Sequence, residues 1–213
     1  MVLKTARFPK PEETILGGDF FMFQGGKGAN QAVKMRSNLV GLVKLYRITD
    51  DKQFLNPVLK AWKDIADNRL YITGTTSSFE HFQDDHQLPA TNKDNMGEGC
   101  VTTTWLQLNY QLFCIFGTMT YVNELERSVY NHLTGAENPQ TGCVSYYTPL
   151  MGVKPYKCEI TCCMSSVPRG IAMIPFFTNG QIDGKPSFLF YQAGTYKTRE
   201  FSAKRPRPLR NWA

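Results

Sequence analysis

Apolar residues recur at helical spacing over much of this chain. Leu39, Leu42, Val43 and Tyr46 fall three or four apart and predict one helix. Thr49-Asp50-Asp51 then caps a second, with Leu55, Val58, Leu59, Trp62 and Ile65 as its apolar face. Pro57 suits that helix in its first turn and would kink it deeper in. The pair reads as a helical hairpin. A second hairpin follows. Val101, Trp105, Leu108, Leu112 and Ile115 form a stripe ending at Gly117, and Met119, Val122, Leu125, Val129 and Leu133 form another stopped by Gly135. Core packing explains nearly all of these positions. Glu126 differs: beside Leu125, it lies at the edge of its stripe, where it could face a cavity.

Between the hairpins the period disappears. Residues 71–89 hold Glu80-His81-Phe82-Gln83-Asp84-Asp85-His86 and end at Leu88-Pro89. A loop this long and this rich in ionisable groups predicts function, a solvated polar loop being the plainer reading. Beyond Gly142 the pattern shortens. Residues 144–148 and 156–160 predict strands or extended loops, and 187–191 a final strand. Residues 165–174 predict a short helix weakened by Pro168 and Gly170. The expected fold is mainly α, a partial α/α toroid of helix pairs with short β-strands near the C-terminus.

Composition agrees with one packed domain: 213 residues, 42% hydrophobic and 13% aromatic. There is no run of eighteen apolar residues, so no transmembrane helix is expected. Residues 1–10 lack an apolar signal core, which predicts a cytoplasmic chain as it stands. The net charge is +6. Most of that excess sits in Lys197, Arg199, Lys204, Arg205, Arg207 and Arg210, opposed by Glu200 alone. Residues 197–213 therefore read as a basic, unstructured tail, and no nucleic-acid face is expected.

The candidate chemistry lies in the cysteines. Without a signal peptide the six are expected to be reduced. Adjacent Cys162 and Cys163 would bridge each other only with strain. Metal binding or catalysis is thus favoured over a disulfide framework. Cys158-Glu159-Ile160-Thr161-Cys162-Cys163 and Glu98-Gly99-Cys100 could bring three thiols and a carboxylate to one zinc ion. The plainer alternative is that the cysteines are small buried hydrophobes.

Two resemblances add to this reading. Gly25-Gly26-Lys27-Gly28-Ala29-Asn30 resembles the N-terminal sugar-binding signature of ribokinase, a PfkB-family carbohydrate kinase. It implies sugar contacts from Gly25, Gly26, Lys27 and Asn30, and residues 1–35 as a ribokinase-like fragment. The match stops near Val33 and no Gly-x-Gly-Asp motif follows, so kinase activity is not expected.

Tyr71-Ile72-Thr73-Gly74, Glu80, Leu88-Pro89, Glu98-x-Cys100, Glu126-Arg127 with Tyr130-Asn131, and Cys162-Cys163 occur in that order. Together they resemble glycoside hydrolase family 127, the β-L-arabinofuranosidases of the former DUF1680 group. The resemblance covers residues 37–196, and residues 36–196 read as a partial catalytic domain. It implies zinc held by Glu98, Cys100, Cys162 and Cys163. It also implies Cys162 as nucleophile, Glu80 as general acid/base and Glu126 as a sugar-binding carboxylate. Tyr146 and Tyr147 are further candidates, as an apolar face for the ring. The implied partner is an arabinose-containing glycan, and a secreted or periplasmic parent hydrolase becomes an alternative location. The family's barrel needs more helices than this chain supplies, and its sugar-binding histidines belong to the missing half. An inactive zinc- or carbohydrate-binding remnant is therefore the rival reading.

Overall fold

The computed structural model describes residues 32–182, 185–190, 194–197 and 202–205. The first predicted hairpin is present. Helix α1 (Ala32–Thr49) is followed by α2 (Lys52–Asp64), which runs on as a π-helical turn, Ile65–Arg69. Asp51 caps α2 by accepting from the Gln53 N–H at 2.9 Å. Pro57 lies in the second turn rather than the first, and the helix continues through it.

The second hairpin is α3 (Gly99–Phe116) and α4 (Met119–Ser128), the latter extended by a π turn, Val129–Leu133. α3 ends where Gly117 takes up the left-handed conformation at φ 62°. Gly135 does not stop the next helix abruptly; it sits inside a short 3-10 turn, Thr134–Ala136.

Helix α3 is buried on two sides and is the axis of the molecule. One face carries Val101, Trp105, Leu108 and Leu112 against Leu39 and Val43 of α1, Val58 of α2 and Ile65 of the π turn that follows it. Another carries Cys100 and Leu106 into a second core with Val122, Leu125, Val129, Leu133, Cys163, Val167 and Phe177. Each large apolar side chain buried in this way contributes about 1.5–3 kcal/mol. Trp62 stacks on Trp105 at 5.9 Å and donates from Nε1 to Asn109 Oδ1 at 2.8 Å.

The C-terminal part is built of short elements. Strands β1 (Val144–Ser145) and β2 (Tyr156–Lys157) pair antiparallel. Helix α5 (Cys162–Ala172) starts three residues earlier than its apolar pattern predicts, because Thr161 caps it by accepting from the Met164 N–H at 3.2 Å. Helix α6 (Pro175–Thr178), then β3 (Asn179–Ile182) with β4 (Lys185–Phe188), and β5 (Gly194–Lys197) with β6 (Ser202–Arg205), complete the described chain. The final strand expected at 187–191 is thus β4, which starts two residues earlier and ends at Phe188. β6 lies in the basic tail expected to be irregular; backbone pairing does not depend on side-chain charge.

One expectation is corrected here. Cys143 and Cys158 form a disulfide, whereas reduced thiols were expected throughout. The β1–β2 pairing brings their Cα atoms to 4.7 Å, well within bridging range. A separation of 15 residues hides that proximity in the sequence. No described helix is long and apolar enough to cross a membrane.

Candidate functional site

The site is assembled from the N-termini of two helices and two irregular segments. Glu98 occupies the N-cap position of α3, and Cys100 lies in its first turn. Cys162 and Cys163 open α5. The two helices approach closely because Gly99 has no side chain: a Cβ there would lie 2.5 Å from Val167 Cγ2 and 3.4 Å from Cys163 Sγ. The result is a 3.5 Å separation between Cys100 Sγ and Cys163 Sγ. Ligand atoms of Glu98, Cys100, Cys162 and Cys163 all lie within 4.8 Å of one another. Cys162 is exposed, and the other three are buried.

The donor set fits a zinc ion on this structure's own terms. Glu98 does not use its carboxylate to cap its helix. Its Oε2 is buried with no hydrogen-bond partner among the described residues, at a cost of several kcal/mol unless a cation compensates. Burial, and then the charge of Cys100, push the Glu98 carboxyl up to about 8. Hydrogen bonding from Cys163, against the opposing effect of burial, brings the Cys100 thiol down to about 6. Cys163, donating to Cys100, is held far above the usual thiol range. Burial also raises Cys162. Three thiols and a carboxylate crowded together cannot all ionise unaided. A divalent cation relieves such crowding, and thiolate with carboxylate is a zinc donor set.

Glu80 reaches the same place from the loop between the hairpins. The loop is fastened at both ends. Buried Arg69 bonds Asp64 and Asp85, each at 2.7 Å, and also the Gln83 carbonyl. Tyr71 donates to the Pro89 carbonyl at 2.7 Å. Ser77, Phe79 and Glu80 all take positive φ, at 83°, 49° and 67°. Strain of this kind, about 1–3 kcal/mol per residue, persists where the surroundings enforce it. Here the Phe79 N–H donates to Asn95 O at 3.1 Å, and Glu80 O accepts from Ala32 N at 2.9 Å.

The tyrosines join Glu80 to the cysteines. An antiparallel bridge sets Glu98 opposite Tyr147, and Gly99 N donates to Tyr146 O at 3.1 Å. Tyr146 and Tyr147 then donate their hydroxyls to Glu80 Oε1 at 2.7 and 3.2 Å. The Tyr146 hydroxyl is also 3.5 Å from Cys162 Sγ. Burial raises both phenols, and their bonds to Glu80 add to the effect, so both remain protonated donors. A single hydroxyl therefore stands between the carboxylate and the exposed thiol. The two rings meet edge to face at 4.7 Å, and with Val144, Pro155, Lys157, Glu159 and Thr161 they line a cleft of about 320 Å³.

Among the residues expected from sequence, the structure thus brings together Glu80, Glu98, Cys100, Tyr146, Tyr147, Cys162 and Cys163. Glu126 is half-buried on α4, outside the four-residue cluster. Gly25, Gly26, Lys27 and Asn30 lie outside the described residues. Sequence reasoning missed the tyrosine link to Glu80, the fastening Arg69, and Ser166, whose hydroxyl lies 3.2 Å from Cys100 Sγ. It also missed Arg36, fully buried over the Trp105 ring at 4.6 Å. None of these has a local motif; each depends on a partner distant in sequence.

Comparison with known proteins places the arrangement. Residues 24–175 match the model of the β-L-arabinofuranosidase GH127 catalytic domain. A non-reducing end β-L-arabinofuranosidase of Bifidobacterium longum subsp. longum is 22% identical over 180 residues, 76% of this chain and 27% of that protein. A solved GH127 β-arabinofuranosidase is 26% identical with a TM-score of 0.69, covering 78% of this chain and 27% of the other. A GH127 β-L-arabinofuranosidase of Geobacillus stearothermophilus T6 shares the fold at TM-score 0.68 and 19% identity, over 81% of this chain and 30% of its own. These neighbours place the described helices in an α/α toroid. The chain spans about a quarter of the curated relative's length.

The ribokinase-like origin expected for residues 2–33 finds no support in these comparisons. The family match already begins at residue 24 and includes the glycine cluster, and glycines ahead of a helix are too common to identify a family alone. With most of its length matched, and in the order of motifs read from the sequence, the chain belongs to the β-L-arabinofuranosidase GH127 catalytic-domain family.

Proposed function

We propose that this chain carries the catalytic centre of a retaining glycosidase acting on non-reducing-end β-L-arabinofuranose of plant glycans or glycoproteins. The observation that carries the reading is the chain of contacts from Glu80 through Tyr146 to Cys162, beside the cluster of Glu98, Cys100 and Cys163. Those four cluster residues would hold zinc. When bound, the ion supplies positive charge that keeps its thiol ligands ionised.

Cys162 is the exposed member and the one able to meet a sugar. Its sulfur attacks the anomeric carbon, a C–S bond forms, and the glycosidic C–O bond breaks. Glu80, protonated at this stage, gives its proton to the departing oxygen. Water then attacks the same carbon. Glu80 takes the water's proton, the C–S bond breaks, and the electron pair returns to Cys162 sulfur. Two displacements retain the anomeric configuration, with sulfur in the place usually held by a carboxylate. Tyr146 and Tyr147 keep Glu80 aimed by donating to Oε1. Glu126 would bind sugar hydroxyls.

The test is release of arabinose from an aryl β-L-arabinofuranoside by the zinc-loaded chain. Cys162→Ser and Glu80→Gln should each lower turnover by at least about a hundredfold. A Cys162→Ser variant as active as the parent would sink the mechanism. The rival reading is an inactive zinc- or carbohydrate-binding remnant. That rival predicts one bound zinc and no release.

A further inference from the structure

Two adjacent serines on α5 behave differently. Ser165 bonds back to the Cys162 carbonyl at 2.9 Å, the ordinary habit of a helical serine. Ser166 does not. Its hydroxyl oxygen lies 3.2 Å from Cys100 Sγ on the neighbouring helix, and Arg169 Nη2 donates to the same oxygen at 3.1 Å. Ser166 is buried, and its backbone is fixed separately, with Thr103 Oγ1 donating to its carbonyl at 2.9 Å. The helix packing is therefore secured without the hydroxyl, which is left facing sulfur. An Arg N–H occupying one lone pair of Oγ directs the hydroxyl hydrogen away from the guanidinium. As a thiol, Cys100 donates to that oxygen; once ionised by a bound cation it has no proton to give, and the contact is kept only with the hydroxyl donating to sulfur.

We infer that Ser166, held by Arg169, is a positioning residue for the metal site, donating to the Cys100 sulfur when that sulfur is an ionised ligand and fixing its orientation for a divalent cation. The inference rests on the zinc reading above. Groups that orient a ligand in this way typically affect metal affinity about 10- to 100-fold. Arg169 acts only through Ser166, so its loss should weaken binding less than loss of the hydroxyl.

The experiment is cobalt titration of the metal-free chain, followed by the thiolate-to-cobalt charge-transfer band, with zinc affinity from chelator competition. Parent, Ser166→Ala, Arg169→Gln and Arg169→Lys are compared. Ser166→Ala should weaken zinc about 10- to 100-fold and shift the band, with the urea midpoint of the metal-free chain unchanged. Arg169→Gln should shift the band in the same direction by less, and Arg169→Lys, keeping a donor, should restore part of it. Should Ser166→Ala destabilise the metal-free chain, the Arg169 pair decides, since that side chain is at the surface. A parent that binds cobalt, with unchanged band and affinity in the variants, overturns the inference and leaves the zinc reading standing. A parent that binds neither metal overturns both.

Discussion

At the scale of residues, burial governs which groups carry charge. His132 is almost wholly enclosed, with Nε2 3.1 Å from Gly97 O and Nδ1 3.2 Å from Thr73 Oγ1. Burial lowers its imidazolium to about 4, against 6.5 when unfolded. The sign follows directly. Between those values the unfolded chain binds a proton that the folded chain refuses. This contribution is fully present above about pH 6.5 and is lost as pH falls toward 4. Urea unfolding should show a loss of about 2 kcal/mol from this group between pH 7 and pH 5. His132→Gln should show a smaller pH dependence than the parent over the same range. An identical dependence would mean that His132 is protonated in the folded state.

Gly99 makes a second argument at this scale. An added methyl would lie 2.5 Å from Val167, a stiff side chain enclosed in the core. Gly99→Ala should therefore cost about 1–3 kcal/mol in urea unfolding. It should also weaken zinc binding, because relief of the clash separates Cys100 from Cys163. Unchanged stability would show that α5 can move aside freely.

At the scale of elements, the β1–β2 hairpin depends on its covalent tie. Only two residue pairs form its ladder, too few to hold it in water unaided. The Cys143–Cys158 bridge closes 15 residues, which by chain entropy is worth about 3 kcal/mol. Reductant, or paired serine substitutions at both positions, should lower the unfolding free energy by that order. Cys162 lies just beyond the hairpin and Tyr146 within it, so turnover should fall as well. An unfolding midpoint indifferent to reductant would remove the bridge from the account.

At the scale of the whole molecule, the candidate metal ligands can be set against the share of the family's fold that this chain spans. Glu80, Glu98, Cys100, Cys162 and Cys163 all lie within this chain, while the chain spans 27% of the curated relative. Zinc binding should thus be intrinsic, near one ion per chain by elemental analysis. Arabinose binding should be weak by calorimetry, since a partial toroid supplies part of the pocket. Tight arabinose binding by the isolated chain would show that the pocket is complete here. Several apolar side chains are exposed, among them Ile72, Met151, Val153 and Ile160. Single exposed apolar residues are ordinary on a protein surface.

The two helical hairpins follow from sequence because each depends on local periodicity. Leu39 to Tyr46 and Val101 to Ile115 repeat at the spacing of a helix, and the turn residues Asp51 and Gly117 end or start them by their own geometry. The ligand candidates were legible for a different reason: Glu98-x-Cys100 and Cys162-Cys163 are rare residue types in a short, ordered pattern. What the tertiary structure alone decided is distance between residues far apart in the chain. It joined Glu80 to Cys162 through Tyr146, set Ser166 against Cys100, and closed Cys143 onto Cys158. No local pattern encodes those meetings. They arise because α3 and α5 pack over Gly99, and because hydrogen bonds lay an irregular loop across them.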